Sequence, residues 1–218
     1  MDLVPLYFRS VISIADVVGN NRCVVCGAAG DVFCQSHFLF FQENTDFSSD
    51  KHWWFWYYSS KAREIILDIK KHKQFRVAYR LGQYMGLYLK NTEASQYFQH
   101  ITYVPHHSKE FKQTMFSMPF LIAMGISDIM EKPIIHLFVK TKTHSQHILS
   151  ADKRRNNLKN VYNINRKVPK VGGPVLIVDD IVTTGSTLKS LKNLAVGYGI
   201  KKLYTITLAR TPKWSDVI

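Results

Sequence analysis

Two adjacent acids and a group of hydroxyl side chains stand where the chain could bind an anion. The acids are Asp179 and Asp180, at the end of an apolar run. The residues that follow include Thr183, Thr184, Gly185, Ser186 and Thr187. Hydroxyl groups donate hydrogen bonds to anions, and a glycine lets the backbone approach one closely. The segment therefore predicts an anion site, and phosphate is the ligand that suits it best.

The elements around this loop are predicted to be a buried strand and a helix. The run Val-Leu-Ile-Val at 175–178 shows no polar alternation, which is typical of a central parallel strand covered on both faces. Leu188, Leu191 and Leu194 then recur at helical spacing. Ligands of open parallel sheets bind beyond the carboxyl ends of the strands, and a helix amino terminus attracts phosphate. The loop is expected to occupy both positions.

The two acids have a predicted use of their own. Ionised carboxylates only accept hydrogen bonds, so Asp179 and Asp180 suit the donors of a vicinal diol such as the ribose 2′ and 3′ hydroxyls, directly or through a divalent cation. A plainer interpretation is that the hydroxyl residues cap an ordinary helix and the aspartates are solvated turn residues. No G-x-x-x-x-G-K-S/T segment occurs, and the glycines at 197 and 199 follow a predicted helix, so triphosphate and dinucleotide loops are disfavoured.

The whole run VLIVDDIVTTGST resembles the signature with which type I phosphoribosyltransferases bind phosphoribosyl pyrophosphate (PRPP). The resemblance implies that the aspartates hold the ribose hydroxyls, that residues 183–187 hold the 5′-phosphate, and that Mg²⁺ bridges pyrophosphate and ribose. It also implies a second phosphate loop after the first strand of that fold, where His106 and His107 stand. Histidines in such loops more often face solvent, and that alternative stays open.

Three cysteines and one histidine near the amino terminus have the spacing of a metal site. Cys23 and Cys26 form one pair, and Cys34 and His37 form a second pair after seven intervening residues. Thiolates and imidazole at such spacing favour tetrahedral Zn²⁺, and four protein ligands close its shell, so the predicted zinc is structural. Reduced buried thiols with an incidental histidine are the alternative. A thioredoxin-like role is disfavoured because no βαβ pattern surrounds the first pair.

Short apolar runs alternate with helical patterns in the rest of the chain. Amphipathic helices are predicted over residues 61–72 and 76–90, and strands over 101–104, 134–139, 175–178 and 203–208. This order predicts an α/β fold with a mostly parallel sheet flanked by helices. The resemblance of residues 175–187 to the PRPP-binding signature implies that this is the type I phosphoribosyltransferase fold. We predict two units: residues 1–50 with an N-terminal helix and the zinc module, and residues 51–218 as a phosphoribosyltransferase-like domain.

The charge of the chain is strongly positive, with 29 Lys and Arg against 16 Asp and Glu and a formal charge of +13. A polyanionic partner is one interpretation, and solvated lysines are the other. Residues 53–58 (WWFWYY) place six aromatic side chains before a basic helix, and that combination holds single-stranded nucleic acid by stacking and phosphate contacts. Each ring alone belongs more often to a core, but we expect one or two of the six to be exposed.

The cysteine module followed by the PRPP-type loop is similar to the ComF family of competence proteins. Smaller features that match the pattern of that family are Tyr57, Tyr58, Arg63, Lys70, Val104, Pro105, Thr143, Gln146, Arg154, Asn157 and Leu158. Residues 112–118 depart from the Arg-Gly-Phe-Asn stretch usual there, so no residue of the hood over the site is carried over. The resemblance implies natural transformation, in which incoming single-stranded DNA is handled on the cytoplasmic side of the inner membrane.

Two functions are therefore expected as alternatives. The first is a PRPP-binding competence protein that binds single-stranded DNA in the cytoplasm, or peripherally at the inner membrane with other DNA-uptake proteins. The second is a metabolic phosphoribosyltransferase that acts on a base or an amine. The charge and the metal module favour the first. A cytoplasmic location is expected because no membrane span, secretory signal or disulfide framework is recognisable.

Overall fold

The computed structural model describes residues 22–37, 51–106, 115–141 and 161–211. Several predicted features lie outside these ranges: the N-terminal helix, His107, and the family-pattern residues from Thr143 to Leu158. The proposed boundary at residue 50 also lies outside them, so the division into two units stays a prediction.

Helices and strands alternate along the described chain. In chain order they are β1 (His52–Tyr57), α1 (Ser60–Lys71), α2 (Phe75–Lys90), a 3₁₀ turn (Glu93–Gln96), β2 (His100–Tyr103), α3 (Met118–Met130), β3 (Phe138–Lys140), β4 (Tyr162–Ile164), β5 (Val175–Val182), α4 (Ser186–Gly197) and β6 (Leu203–Arg210). The two amphipathic helices predicted from periodicity are α1 and α2, each starting one residue earlier than expected.

Four of the described strands form one parallel sheet in the order β1-β6-β5-β2. Side chains from α1, α2 and α3 pack on one face of this sheet, whereas Leu188, Leu191 and Ala195 of α4 pack on the other. The first six residues of the central strand β5 are buried, which agrees with its unbroken apolar run. The predicted α/β class with a mostly parallel sheet flanked by helices is confirmed.

The strand predicted over residues 134–139 differs from the structure. Only Ile134 forms a parallel bridge to Ile101 of β2, and the chain then leaves the sheet. β3 begins at Phe138 and pairs antiparallel with β4 in a separate two-stranded ribbon. An apolar run of this length does not distinguish a strand of the main sheet from the start of a neighbouring ribbon.

The aromatic run at 53–58 forms most of an edge strand that the sequence patterns did not predict. Trp53, Trp54, Phe55 and Trp56 are buried, because this parallel edge is covered on both faces. Tyr57 is 44% exposed and meets the expectation of one or two exposed rings. Most of the run is therefore core, and a stacking surface built from all of it is ruled out.

Helices α2 and α3 cross at glycines. A Cβ atom on Gly82 of α2 would overlap the carbonyl group of Ile122, and one on Gly125 of α3 would lie 2.6 Å from the amide nitrogen of Gln83. Both contacts are to backbone atoms, which cannot rotate aside as a side chain can. The two helices approach this closely only because these residues lack side chains.

We expect Gly82→Ala to lower the free energy of unfolding by about 1–3 kcal/mol, because the added methyl group forces the two helices apart. Gly197→Ala is the matched control, since Gly197 is the last residue of α4 and a Cβ there meets no atom within 4 Å. The control is expected to be neutral or to stabilise by about 0.5–1 kcal/mol. Urea denaturation of both variants measures the difference, and equal midpoints would contradict the close crossing.

Candidate functional site

The sequence suggested that the acid pair follows the strand, but in the structure Asp179 and Asp180 lie inside β5. β2 stops pairing at Tyr103, opposite Val178, whereas β6 continues alongside β5 until Arg210 pairs with Val182. Asp179 and Asp180 therefore occupy the stretch where β5 keeps one neighbour and has lost the other. This step in the sheet edge opens a cleft at the carboxyl ends of the strands, where open α/β sheets bind ligands.

Both carboxyl groups are buried, with each residue 8% exposed. Each accepts a hydrogen bond from the next backbone N–H along the strand, at 2.9 Å for Asp179 and 2.8 Å for Asp180. The ammonium group of Lys70, in the last turn of α1, forms an ion pair with Oδ2 of Asp180. These contacts are incompatible with solvated turn residues, which was the plainer interpretation of the acids.

The electrostatics of the pair are unbalanced. Burial and the negative charge of Asp180 raise the pKa of Asp179 well above its ordinary value. The positive charge of Lys70 offsets only part of this increase. Two carboxylates this close resist ionising together, and a nearby cation relieves that repulsion. The site therefore attracts cations and hydrogen-bond donors, and among the described residues Lys70 supplies the cation that pairs with Asp180.

The loop after β5 turns directly into helix α4. Gly185 is the N-cap of that helix and has a φ of 69°, in the left-handed region that residues with side chains rarely adopt. Thr184 accepts a hydrogen bond from the backbone N–H of Ser186 at 3.4 Å and donates its own hydroxyl to Ser186 Oγ at 3.1 Å. The side chains of Thr183 and Ser186 are exposed. Residues 179 and 181–188 line a small pocket at the helix amino terminus, which is the geometry of an anion site.

Tyr162 of β4 is a site residue that sequence reasoning missed. Burial and the negative charge of Asp179 raise its pKa, while a hydrogen bond with Thr187 lowers it. Tyr162 and Thr187 also line a pocket of about 400 Å³ that runs along the first turns of α4 past Lys189 and Asn193. No motif surrounds Tyr162 in the sequence, and only the folding of the β3–β4 ribbon brings it to the loop.

His106 lies just past the end of β2, whose last residue, Tyr103, is the register partner of Val178. It lines a cavity of about 250 Å³ together with Tyr103, His136 and Phe138. The Tyr103 hydroxyl and His136 Nδ1 are 2.7 Å apart, and Asn165 donates a hydrogen bond to the backbone carbonyl of His136. The cavity therefore has aromatic walls and several polar groups. A pyrophosphate contact by His106 stays a prediction.

The four predicted metal ligands come together near the amino terminus. The ligand atoms of Cys23, Cys26, Cys34 and His37 all lie within 4.8 Å of one another. Cys26 and Cys34 sulfur atoms are 3.8 Å apart, and His37 Nδ1 is 3.6 Å from the Cys23 sulfur and 3.1 Å from that of Cys34. A tetrahedron with metal–sulfur bonds of about 2.3 Å has edges of about 3.8 Å. The cluster therefore fits a tetrahedral metal ion.

The metal cluster is joined to the main core through residues 31–33. Phe33 packs edge-on against Trp56 of β1, with the ring centroids 5.9 Å apart, and its centroid lies 6.2 Å from that of Tyr84 of α2. Asp31 accepts a hydrogen bond from the Tyr84 hydroxyl at 3.0 Å and lies 3.8 Å from the guanidinium of Arg80. Burial and the bond to Asp31 raise the pKa of Tyr84 to about 12, so its hydroxyl remains a donor at neutral pH. The segment beside the metal cluster is thus fixed to both β1 and α2.

A parallel sheet with helices on both faces, a DD-x-x-TTGST loop between its central strand and a helix, and a Cys/His cluster near the amino terminus are together the arrangement expected of a type I phosphoribosyltransferase fold with a Cys/His module. No family model matches the chain. The chain is 28% identical over 155 residues to competence protein F of Haemophilus influenzae, which covers 67% of this chain and 66% of that protein. The expected likeness to ComF-type competence proteins is confirmed.

A second group of relatives is matched over a shorter stretch. The chain is 42% identical over 69 residues to the DNA utilization protein YhgH of Escherichia coli, which covers 32% of this chain. The chain spans 30% of the length of that relative.

Solved structures with a similar arrangement include the allosteric regulatory enzyme of purine biosynthesis, at 18% identity and a TM-score of 0.43 over 60% of this chain and 25% of that one. Another is an adenine phosphoribosyl transferase from Trypanosoma brucei, at 11% identity and a TM-score of 0.42 over 76% and 86% of the two chains.

Among the described residues, no helix combines the length and the apolar character that crossing a membrane requires.

We expect Lys70→Gln to lower the free energy of unfolding by about 1–2 kcal/mol at neutral pH. This is less than for a fully buried pair, because the Lys70 side chain is 35% exposed. An acid whose pKa is raised by folding stabilises the folded state below its unfolded pKa and loses that contribution as the pH rises through the folded pKa. Without Lys70 the pKa of Asp179 rises further. The decrease in the free energy of unfolding caused by Lys70→Gln is therefore larger at neutral pH than in acid.

Urea denaturation at neutral and at acidic pH measures this effect. Lys71→Gln is the matched control, because Lys71 is the next residue on α1, is exposed, and forms no ion pair with a described residue. A deficit for Lys70→Gln that is equal at both pH values, or equal to that of the control, would show that Lys70 does not stabilise the acid pair.

Proposed function

We propose that the protein binds PRPP at the loop of residues 179–187 and takes part in natural transformation by binding or handling incoming single-stranded DNA in the cytoplasm. The observation that carries the proposal is the buried acid pair at the step in the sheet edge, next to a helix amino terminus that begins at Gly185. Acceptors and anion-binding donors are thereby only a few residues apart, as a phosphorylated ribose requires.

The loop and the acids have different roles in this proposal. Thr183, Thr184, Ser186 and Thr187 donate hydroxyl hydrogen bonds to the 5′-phosphate, and Gly185 allows its close approach to the backbone. Asp179 and Asp180 accept from the ribose hydroxyls. The Tyr162 hydroxyl, which reaches Thr187, positions that side chain.

Mg²⁺ is the cation that we propose to accompany PRPP. Carboxylate oxygens are the ligands that Mg²⁺ prefers, and the charge imbalance of the Asp179–Asp180 pair suits a divalent cation. Bound there, the ion would neutralise the charge of the pyrophosphate. When no ion is bound, Lys70 neutralises part of the negative charge of the acid pair, since it forms an ion pair with Asp180. His106 and His107 are proposed to contact the pyrophosphate from the neighbouring loop.

The metal of the Cys/His cluster is proposed to be a structural Zn²⁺. Three thiolates and one imidazole are ligands that zinc prefers, and all four coordination positions are then taken by the protein. The role of the ion is to hold residues 22–37 in the shape that docks Phe33 and Asp31 against the core.

The role in transformation rests on the relatives and on charge. Competence protein F and the DNA utilization protein are named for DNA uptake or use, and a formal charge of +13 suits a polyanionic partner. We place the protein on the cytoplasmic side of the inner membrane, where other DNA-uptake proteins are its proposed partners.

We expect Asp179→Asn together with Asp180→Asn to reduce the affinity for PRPP in the presence of Mg²⁺ at least tenfold, because the amides lose the charge that attracts the cation. Asparagine is chosen because both positions are buried and a truncation to alanine would leave cavities. Isothermal calorimetry measures the affinity. Asp68→Asn is the control, an exposed acid on α1. PRPP binding by the double variant at the strength of the unaltered protein would refute the assignment.

The alternative function is that of a metabolic phosphoribosyltransferase, and one observation favours it. The cavity of about 250 Å³ beside His106 has the aromatic walls of Tyr103 and Phe138 and the polar groups of His136 and Asn165, which could receive a flat base.

Incubation of the protein with PRPP, Mg²⁺ and a panel of bases and amines distinguishes the two functions. PRPP binding without pyrophosphate release from any of them would count against the metabolic alternative. Release that depends on one base, and that is lost in the Asp179→Asn, Asp180→Asn variant, would establish the metabolic alternative.

A further inference from the structure

The edge strand β1 carries a second set of side chains that the PRPP loop does not use. His52 and Trp54 stack with their ring centroids 5.7 Å apart, and the guanidinium carbon of Arg210 lies 4.1 Å from the centre of the Trp54 ring. Tyr57 meets the same indole at 6.3 Å in a T-shaped contact and is the exposed ring of the strand. These rings and the guanidinium form a continuous row along β1.

Positive charges from three elements converge on this row. Burial, and then the charges of Lys192 on α4 and Arg210 on β6, lower the pKa of His52 to about 2, so its imidazole is neutral at physiological pH. Burial and the charge of Lys51 lower the pKa of Lys192. Among the described residues, no carboxylate forms an ion pair with Lys51 or Lys192. The cations therefore repel one another, and an anion beside them would relieve that repulsion.

The shape of the surface indicates the kind of anion. From Lys51 to Tyr57 the strand rises about 20 Å, at roughly 3.3 Å per residue. The charges of Lys51 and Lys192 act at the His52 end of this length. The exposed Tyr57 ring at the other end offers a face for a base. A positive track with an aromatic ring at its side is how proteins hold single-stranded nucleic acid without reading its sequence.

We propose that the β1 edge surface, formed by Lys51, Tyr57, Lys192 and Arg210, binds single-stranded DNA. Phosphates of the strand lie at the two lysines, and a base lies against Tyr57 beside the Arg210 guanidinium. This inference rests on the proposed function and adds the place where DNA binds.

The position of this surface relative to the PRPP loop is fixed by the sheet. Arg210 is the register partner of Val182, the last residue of β5, and the backbone N–H of Thr211 donates to the Val182 carbonyl. The Thr211 hydroxyl donates to the carbonyl of Thr183, which belongs to the loop itself. Neighbouring strands lie about 4.8 Å apart. A DNA strand on the β1 edge surface therefore passes close to the PRPP loop without occupying it.

The test measures fluorescence anisotropy of a labelled oligothymidylate over a series of salt concentrations. Lys192→Gln is expected to lower the slope of log K against log salt by about 0.7, the value of one phosphate contact on a single strand. Tyr57→Ala is expected to weaken binding about tenfold, and Tyr57→Phe is expected to bind as the unaltered protein does, because it keeps the ring. PRPP affinity should be the same in all of these variants.

The control is Lys90→Gln, which makes the same charge change at an exposed site on α2, on the other face of the sheet. Its slope should equal that of the unaltered protein. If the unaltered protein binds DNA while Lys192→Gln and Tyr57→Ala bind equally well, the location is wrong and the proposed function stands. If the unaltered protein does not bind DNA even at low salt, both are wrong. If inorganic phosphate displaces the DNA at a concentration equal to that of the phosphate groups in the oligonucleotide, the surface is a small-anion site and the proposal is overturned.

Discussion

The burial of two adjacent carboxylates at the end of the central strand is the constraint on which the site depends. Asp179 and Asp180 point to the two sides of β5, as neighbouring residues of a strand do, so one helix layer cannot satisfy both. Backbone N–H groups satisfy one oxygen of each, and Lys70 of α1 supplies the cation. The early end of β2 is equally necessary, because a full-length neighbour would close the cleft where a ligand can complete the pair.

The sequence predicted this region well for a physical reason. An unbroken apolar run followed by acids, hydroxyl residues and Gly185 is a local pattern, and each part of it depends on neighbours within about a dozen residues. The cysteine and histidine ligands are also local, because a metal site this small is closed by short turns. The amphipathic helices α1 and α2 were predicted to within a residue at their starts, since their periodicity repeats over three or more turns.

What the sequence did not predict depends on contacts between distant segments. β1 shows no alternation, because both of its faces are covered, and the five Trp, Phe and Tyr side chains in it gave no sign of which would be buried. Tyr162 interacts with Thr187 only because the fold brings β4 next to the start of α4. The burial of the acids was also missed, since it comes from α1 and from the length of β6 and not from the residues beside them. Local patterns identify the ligand groups, and tertiary packing determines their charge state.

The metal cluster and the acid pair are connected by a continuous series of contacts. Residues 31–33, beside the metal ligands, pack Phe33 against Trp56 of β1 and tie Asp31 to Tyr84 and Arg80 of α2. β1 leads within three residues into α1, whose N-cap Ser59 accepts from the Ala62 N–H and whose last turn carries Lys70. A metal module that fixes β1 and α2 therefore also fixes the base of the helix that presents the counter-ion to Asp180. The same strand carries His52, Trp54 and Tyr57, the rings of the β1 edge surface. β1 is therefore connected to the Cys/His cluster through Trp56 and to the acid pair through α1. Carboxylates near the end of β5 and the Arg210 guanidinium at the end of β6 give neighbouring strands opposite charge. The proposed PRPP with its cation and the proposed DNA strand would therefore lie side by side without competing for the same groups.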